Sequence, residues 1–144
     1  MRRRTFLVVL ATLGGAFGLR PARGAPRDGA DAEKADAYVA DLSRSLAGSA
    51  AVRSVGRAYL EQAPEEDDRA LLIGLVSTAL RAGDGAPARE QALARIFEQV
   101  RLDFAANRIA RVRGWLLSVT EARLCALAVA RESGRIAEIH SVVR

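Results

Sequence analysis

Few side chains in this chain are of types that do chemistry, and their spacing limits what they can do. His140 is the sole histidine and Cys125 the sole cysteine. One of each cannot assemble a zinc set, which draws about four ligands of these kinds from spaced pairs. A c-type haem attachment motif, with two cysteines just ahead of a histidine, is likewise missing. A Ser–His–Asp triad would have to recruit His140, and no nucleophile-elbow motif accompanies it. Gly83-Asp84-Gly85 lacks both the preceding strand and the following Gly-Lys-Ser of a phosphate-binding loop. Glu65-Glu66-Asp67-Asp68 could supply paired carboxylates for acid–base work. Directly ahead of an apolar helical stripe, they read instead as a first turn meeting the positive end of the helix dipole. No catalytic residue, bound cofactor or metal site is expected, and the chain does not read as an enzyme.

One cluster is left over. Arg108, Arg111 and Arg113 precede the only tryptophan, Trp115, and no acid lies between Phe104 and Thr120. Arginine and tryptophan are favoured where protein surfaces meet. Arg108, Arg111, Arg113 and Trp115, with Cys125, therefore form a candidate partner interface. Two of them carry a plainer alternative. Trp115 is either a core plug or an interface anchor. Cys125 is either a small buried hydrophobe between Leu124 and Ala126 or a thiol for a disulfide to a partner subunit.

The charge pattern limits the partner class. The sequence pI near 10.5 suggests a nucleic-acid or membrane-surface protein. Of the 22 basic residues, however, five lie in residues 1–24 as Arg2, Arg3, Arg4, Arg20 and Arg23, with none of the 17 acids. The remainder balances to a formal charge of zero, so no nucleic acid is expected as a partner. It is still polarised: residues 25–68 hold ten acids and five bases, residues 69–144 seven acids and twelve bases. That split is expected to be met by pairing between the two halves with solvated faces elsewhere; the alternative is a basic surface patch for a partner.

Residues 1–24 read as a signal peptide. A basic end is followed by a 13-residue uncharged run, Phe6 to Gly18, and then by small residues around Ala22 and Gly24. The middle zone is too short for a permanent membrane span. Arg3-Arg4-Thr5-Phe6-Leu7 resembles the twin-arginine (Tat) signature, so Arg3, Arg4, Phe6 and Leu7 are expected to be read by the Tat translocase and the chain to be periplasmic; the alternative is an ordinary unfolded-export signal with a chance arginine pair. Membrane contact is then expected only through the signal peptide or a complex. The Tat pathway exports folded proteins. A remainder of about 120 residues without a cofactor motif has little need of it alone, which points to travel with a cofactor-bearing partner.

After a flexible lead-in at 25–30, the pattern is helical over 31–144. Tyr38, Leu42 and Leu46 recur at helical spacing before Gly48. Ser49 can cap a helix carrying Val52, Val55, Tyr59 and Leu60. Leu71, Leu72, Leu75, Val76, Ala79 and Leu80 mark a third helix, ending at Gly83. A fourth, opening near Pro87, has the seam Leu93, Ile96, Phe97, Val100 and Phe104 and can end at Asn107. Ile109 to Arg113 alternates apolar and basic and reads as extended. Ser118 with Glu121 fits a capping box opening the last helix, whose buried face continues through Leu124, Leu127 and Ala128. The tail 135–144 fits a helix or an extended segment equally. The expected fold is all-α, a single compact bundle of about five helices after a cleaved signal peptide.

Tyr38-x3-Leu42-Ser43-x2-Leu46-x-Gly48, then Gly56-Arg57-Ala58-Tyr59-Leu60, resembles the Tat-signal small (gamma-type) subunits of membrane-associated flavin dehydrogenases acting on sugars and polyols. Arg101-Leu102-Asp103-Phe104 stands where those subunits show a Trp-Tyr pair, and their Pro-rich tail is replaced by Ser141 to Arg144, so a sibling family fits as well. The resemblance implies an all-α, non-catalytic companion for export and assembly. Its partners would be a large FAD subunit of the glucose-methanol-choline type and a cytochrome c subunit, with no cofactor of its own. The alternative is a stand-alone periplasmic helical binding or chaperone-like protein.

Overall fold

The computed structural model describes residues 28–81 and 89–131. The expectations for Arg3, Arg4, Phe6, Leu7, Gly83–Gly85, Pro87, His140 and the tail lie outside these residues. Those described form five helices and a small hairpin: α1 (Asp28–Leu46), α2 (Ala50–Leu60), a 3-10 turn (Pro64–Glu66), α3 (Arg69–Arg81), α4 (Arg89–Ala105), β1 (Ile109–Val112), β2 (Trp115–Ser118) and α5 (Val119–Leu127). The helical bundle is as expected from the periodicity. The segment read as extended supplies β1, which pairs with a second short strand as a small hairpin beside the helices, and α1 begins inside the segment read as a lead-in.

The centre of the fold is its shortest helix. In α5, Thr120, Glu121, Ala122, Leu124, Cys125, Ala126 and Leu127 are all buried. A helix buried nearly all round must be covered on every side, and α1, α2, α3 and α4 all pack against it. Its start is fixed locally. The Ser118 hydroxyl accepts from Glu121 N–H at 3.0 Å, and the Glu121 carboxylate accepts from Ser118 N–H at 2.9 Å, completing the capping box. Leu124 and Leu127, both fully enclosed, each contribute about 1.5–3 kcal/mol of apolar burial.

The approach of α2 to α5 depends on one missing side chain. A Cβ at Gly56 would sit 2.7 Å from the carbonyl carbon of Cys125 and closer still to its oxygen. Only glycine admits this backbone-to-backbone contact. Ser49 caps α2 as expected, accepting from Val52 N–H, and Val52, Val55, Tyr59 and Leu60 face the core. In α1 the buried stripe is Ala35, Val39, Leu42 and Leu46, with Tyr38 at its edge.

Two expectations about helix faces are corrected. In α4 the buried seam is Ala92, Ile96, Val100 and Asp103, whereas Leu93 and Phe97 flank it and Phe104 is exposed. The seam turns toward Asp103 because the start of α5 supplies hydrogen-bond donors there. The acidic run does not form a first turn. Pro64 to Glu66 make a 3-10 turn, and Asp68 is the residue that caps α3, its carboxylate accepting from Leu71 N–H at 2.9 Å.

The hairpin follows from two residues with positive φ. β1 pairs antiparallel with β2, Val112 opposite Trp115 and Arg111 opposite Leu116. The two residues between the closing pair, Arg113 (φ 48°) and Gly114 (φ 79°), both lie in the left-handed region. That is the two-residue primed turn whose twist matches the strands. Ala110, Val112, Trp115 and Leu117 turn toward the core, while Arg111 and Leu116 turn away.

Candidate functional site

Of the expected interface residues, the structure keeps most at the surface, pairs one of these with a buried acid of its own chain and encloses another. Arg108 is the paired one. Asn107 (φ 55°) ends α4 in the left-handed conformation, and Arg108 N–H reaches back to the Asp103 carbonyl at 2.8 Å. This helix-ending motif places the Arg108 and Asp103 side chains together. The guanidinium accordingly pairs with the carboxylate at 2.7 Å.

Asp103 is itself a site that sequence reasoning missed. It is 2% exposed and its two oxygens accept four hydrogen bonds. Thr120 donates through its N–H at 2.9 Å and its hydroxyl at 2.7 Å, Gln99 through its amide at 2.8 Å, and Arg108 through its guanidinium. Burial pushes the carboxyl up, but these donors outweigh it and hold the group below the usual carboxylate value. One carboxylate thus ties the end of α4 to the start of α5. The available signal was an acid close to the i, i+3, i+4 apolar seam.

A second, half-buried cluster joins the acidic run to α5. Arg123 holds Glu66 from two nitrogens, at 2.6 and 3.0 Å, and the Tyr59 hydroxyl donates to the same carboxylate at 2.8 Å. The guanidinium holds Glu66 below its usual value despite burial, with the tyrosine helping. Burial and then Glu66 push Tyr59 up to about 12. Asp36 and Asp67 are likewise taken by Arg81 and Arg131. The expected pairing of the acidic first half with the basic second half is thereby observed in three ion pairs.

Between these clusters lies a cleft of about 440 Å³ lined by Leu75, Thr78, Gln99, Asp103, Arg108, Val119, Thr120 and Arg123. Its floor has little chemistry to offer. The Asp103 carboxylate is saturated, and the N–H groups of Val119, Thr120 and Glu121 already donate to Arg108, Asp103 and Ser118. Among the described residues, no group of three or more His, Cys, Asp or Glu is disposed to hold a metal ion. No described helix is long and apolar enough to cross a membrane.

Of the two readings of Cys125, the structure shows the small buried hydrophobe. It is 3% exposed, its backbone is pressed against Gly56, and burial followed by the Glu121 charge pushes the thiol up to about 12. A thiol so placed is a packing group and is out of reach of a partner's cysteine. Trp115 is half-buried and packs on the core, closing the hairpin's inner face.

Arg111 and Arg113 remain fully outward. Most described arginines are engaged: Arg53, Arg69 and Arg95 on main-chain carbonyls, and Arg44, Arg81, Arg101, Arg108, Arg123 and Arg131 on carboxylates. Arg111 and Arg113 make no side-chain hydrogen bond or ion pair among the described residues, and Arg57 on α2 is in the same state. Leu116, across from Arg111, is 42% exposed. Compared with protein-family models, with curated proteins and with solved structures, the chain matches none.

Proposed function

We propose that the chain is a non-catalytic accessory subunit that accompanies a cofactor-bearing periplasmic oxidoreductase through twin-arginine export and assembly. The observation that carries this reading is the Arg3-Arg4-x-Phe6-Leu7 signature ahead of a small helical domain. Folded export suits a passenger that binds its cofactor before crossing, and a small exported chain beside it can supply the address. The resemblance over residues 38–60 adds the class of passenger, a large FAD subunit acting on sugars or polyols, with a cytochrome c subunit alongside. Within that run, Ser49 has a capping role and Gly56 a close-packing role, so the segment supports a folded α1–α2 unit.

The test is export of the passenger. Changing Arg3 and Arg4 to Lys should leave the co-expressed oxidoreductase subunit in the cytoplasm, measured by fractionation and cofactor content. Undiminished appearance of that subunit in the periplasm would overturn the carrier role.

A stand-alone periplasmic binding protein is the second reading, and the cleft of about 440 Å³ beside Asp103 is the observation that favours it. It ranks lower because the polar groups on the cleft floor are already bonded within the chain.

A further inference from the structure

We propose that the outward face of the β1–β2 hairpin, formed by Arg111, Arg113 and Leu116, docks onto an acidic surface of a second, different protein chain. This rests on the accessory-subunit reading and gives the chemistry of its partner.

The antiparallel register sets Arg111 directly opposite Leu116 on the side turned from the core, and the turn projects Arg113 beyond them. Two guanidiniums without internal partners thus border an exposed leucine. A partner that covers this face must bring carboxylates around an apolar contact, the arrangement of a rim and a centre in protein interfaces. Arg113 adds an independent observation. It occupies a left-handed position, φ 48°, that Asn or Gly would fill with less strain. Strain held at an exposed tip points to a role other than folding.

Charge also narrows the occupant. Asp36, Asp41, Glu66, Asp67, Glu98 and Asp103 are held by this chain's own arginines, so among the described residues a second copy would have only a few exposed acids, such as Glu33, Glu61 and Glu65, left to offer. Two guanidiniums on one small hairpin are too few for the phosphate contacts that nucleic-acid binding draws on.

The experiment uses the full chain, affinity-tagged, co-expressed with the genes beside its own, and carrying a photo-crosslinking amino acid at position 116. Two charge variants accompany it, Arg111→Glu with Arg113→Glu, and Arg111→Gln with Arg113→Asn. The second relieves the turn, so lost binding cannot be ascribed to a lost fold. The expected result is a cross-link from position 116 to an Asp- and Glu-dense segment of a different protein. Retention of that protein should fall about tenfold or more in both variants. Lysines placed at the cross-linked acids of the partner should restore binding to the Glu variant. Retention equal to wild type in both variants would overturn the hairpin inference and leave the carrier reading standing. A cross-link to a second copy of this chain would also overturn it, as would co-sedimentation with phosphatidylglycerol vesicles that both variants lose. If the wild-type chain retains no partner at all, both readings fail together.

Discussion

Gly56 and Cys125 meet main chain to main chain, with no side chain from either helix between them. This contact sets how closely α2 lies on α5, the helix around which the others pack. It also explains why the only cysteine is a small, enclosed residue.

Gly56→Ala should therefore be costly even though alanine is the better helix former. The added methyl meets backbone, which cannot rotate away, so α2 and α5 must separate. The expected loss is about 3 kcal/mol, the upper end for overpacking. Chemical denaturation of the variant against wild type measures it. A loss below about 0.5 kcal/mol, within the range of ordinary surface changes, would contradict the close approach.

The Cys125 thiol, pushed up to about 12 and enclosed, should not react with a thiol reagent in the native protein at mildly alkaline pH. It should react fully once denaturant is added. On a non-reducing gel the chain should run as it does when reduced, and a higher-mass band that reductant removes would restore the disulfide alternative.

The Asp103 carboxylate receives only donors, two on each oxygen. An asparagine at this position would turn an amide group toward two donors whichever way it faced. Asp103→Asn should thus cost about 2–4 kcal/mol, chiefly from donors left unsatisfied. The Arg108 ion pair adds little, because that guanidinium is largely exposed. The pH dependence has a definite sign. The folded-state value of Asp103 is depressed, so its stabilisation is complete above the unfolded value, about 4, and is lost as pH falls through the folded one. Glu66 acts in the same direction. Glu121 is raised by burial and by the Asp103 charge, so it opposes this partly. Stability should drop below about pH 4, and the drop should be shallower in Asp103→Asn. An acid limb equally steep in the variant would contradict the assignment.

Arg113→Asn should stabilise the isolated domain by about 1 kcal/mol, since asparagine accepts the left-handed position readily. A thermal scan should show the melting point rising by roughly 4–8 °C. No change, or a fall, would mean that the turn holds Arg113 by contacts beyond the turn geometry.

Local chemistry was the most legible part of the sequence. The caps at Ser49 and Ser118 and the stop at Asn107 need only neighbours a few residues away, and all three stand where their residue types place them. The apolar spacing located all five helices. The second strand was not legible, because Trp115-Leu116-Leu117-Ser118 does not alternate and runs straight into a helix cap. Arg113-Gly114, two residues between an alternating run and a tryptophan, was the overlooked hairpin signal. Glu66 was misread and Asp103 missed for a different reason. A buried acid cannot be told from a solvated one until its donors are known, and those donors, Thr120 and Arg123, lie 17 and 57 residues away. Of the interface set, burial removed Cys125, and the end of α4 pairs Arg108 with Asp103 while leaving it largely exposed.

The most direct measurement is purification of the tagged full chain from its own host, with the eluate examined for a second polypeptide and for flavin absorbance. Co-elution of a larger subunit carrying FAD, lost when Arg3 and Arg4 are changed to Lys, is the expected result. A colourless monomer, exported equally well in the absence of the neighbouring genes, would contradict the role of export companion.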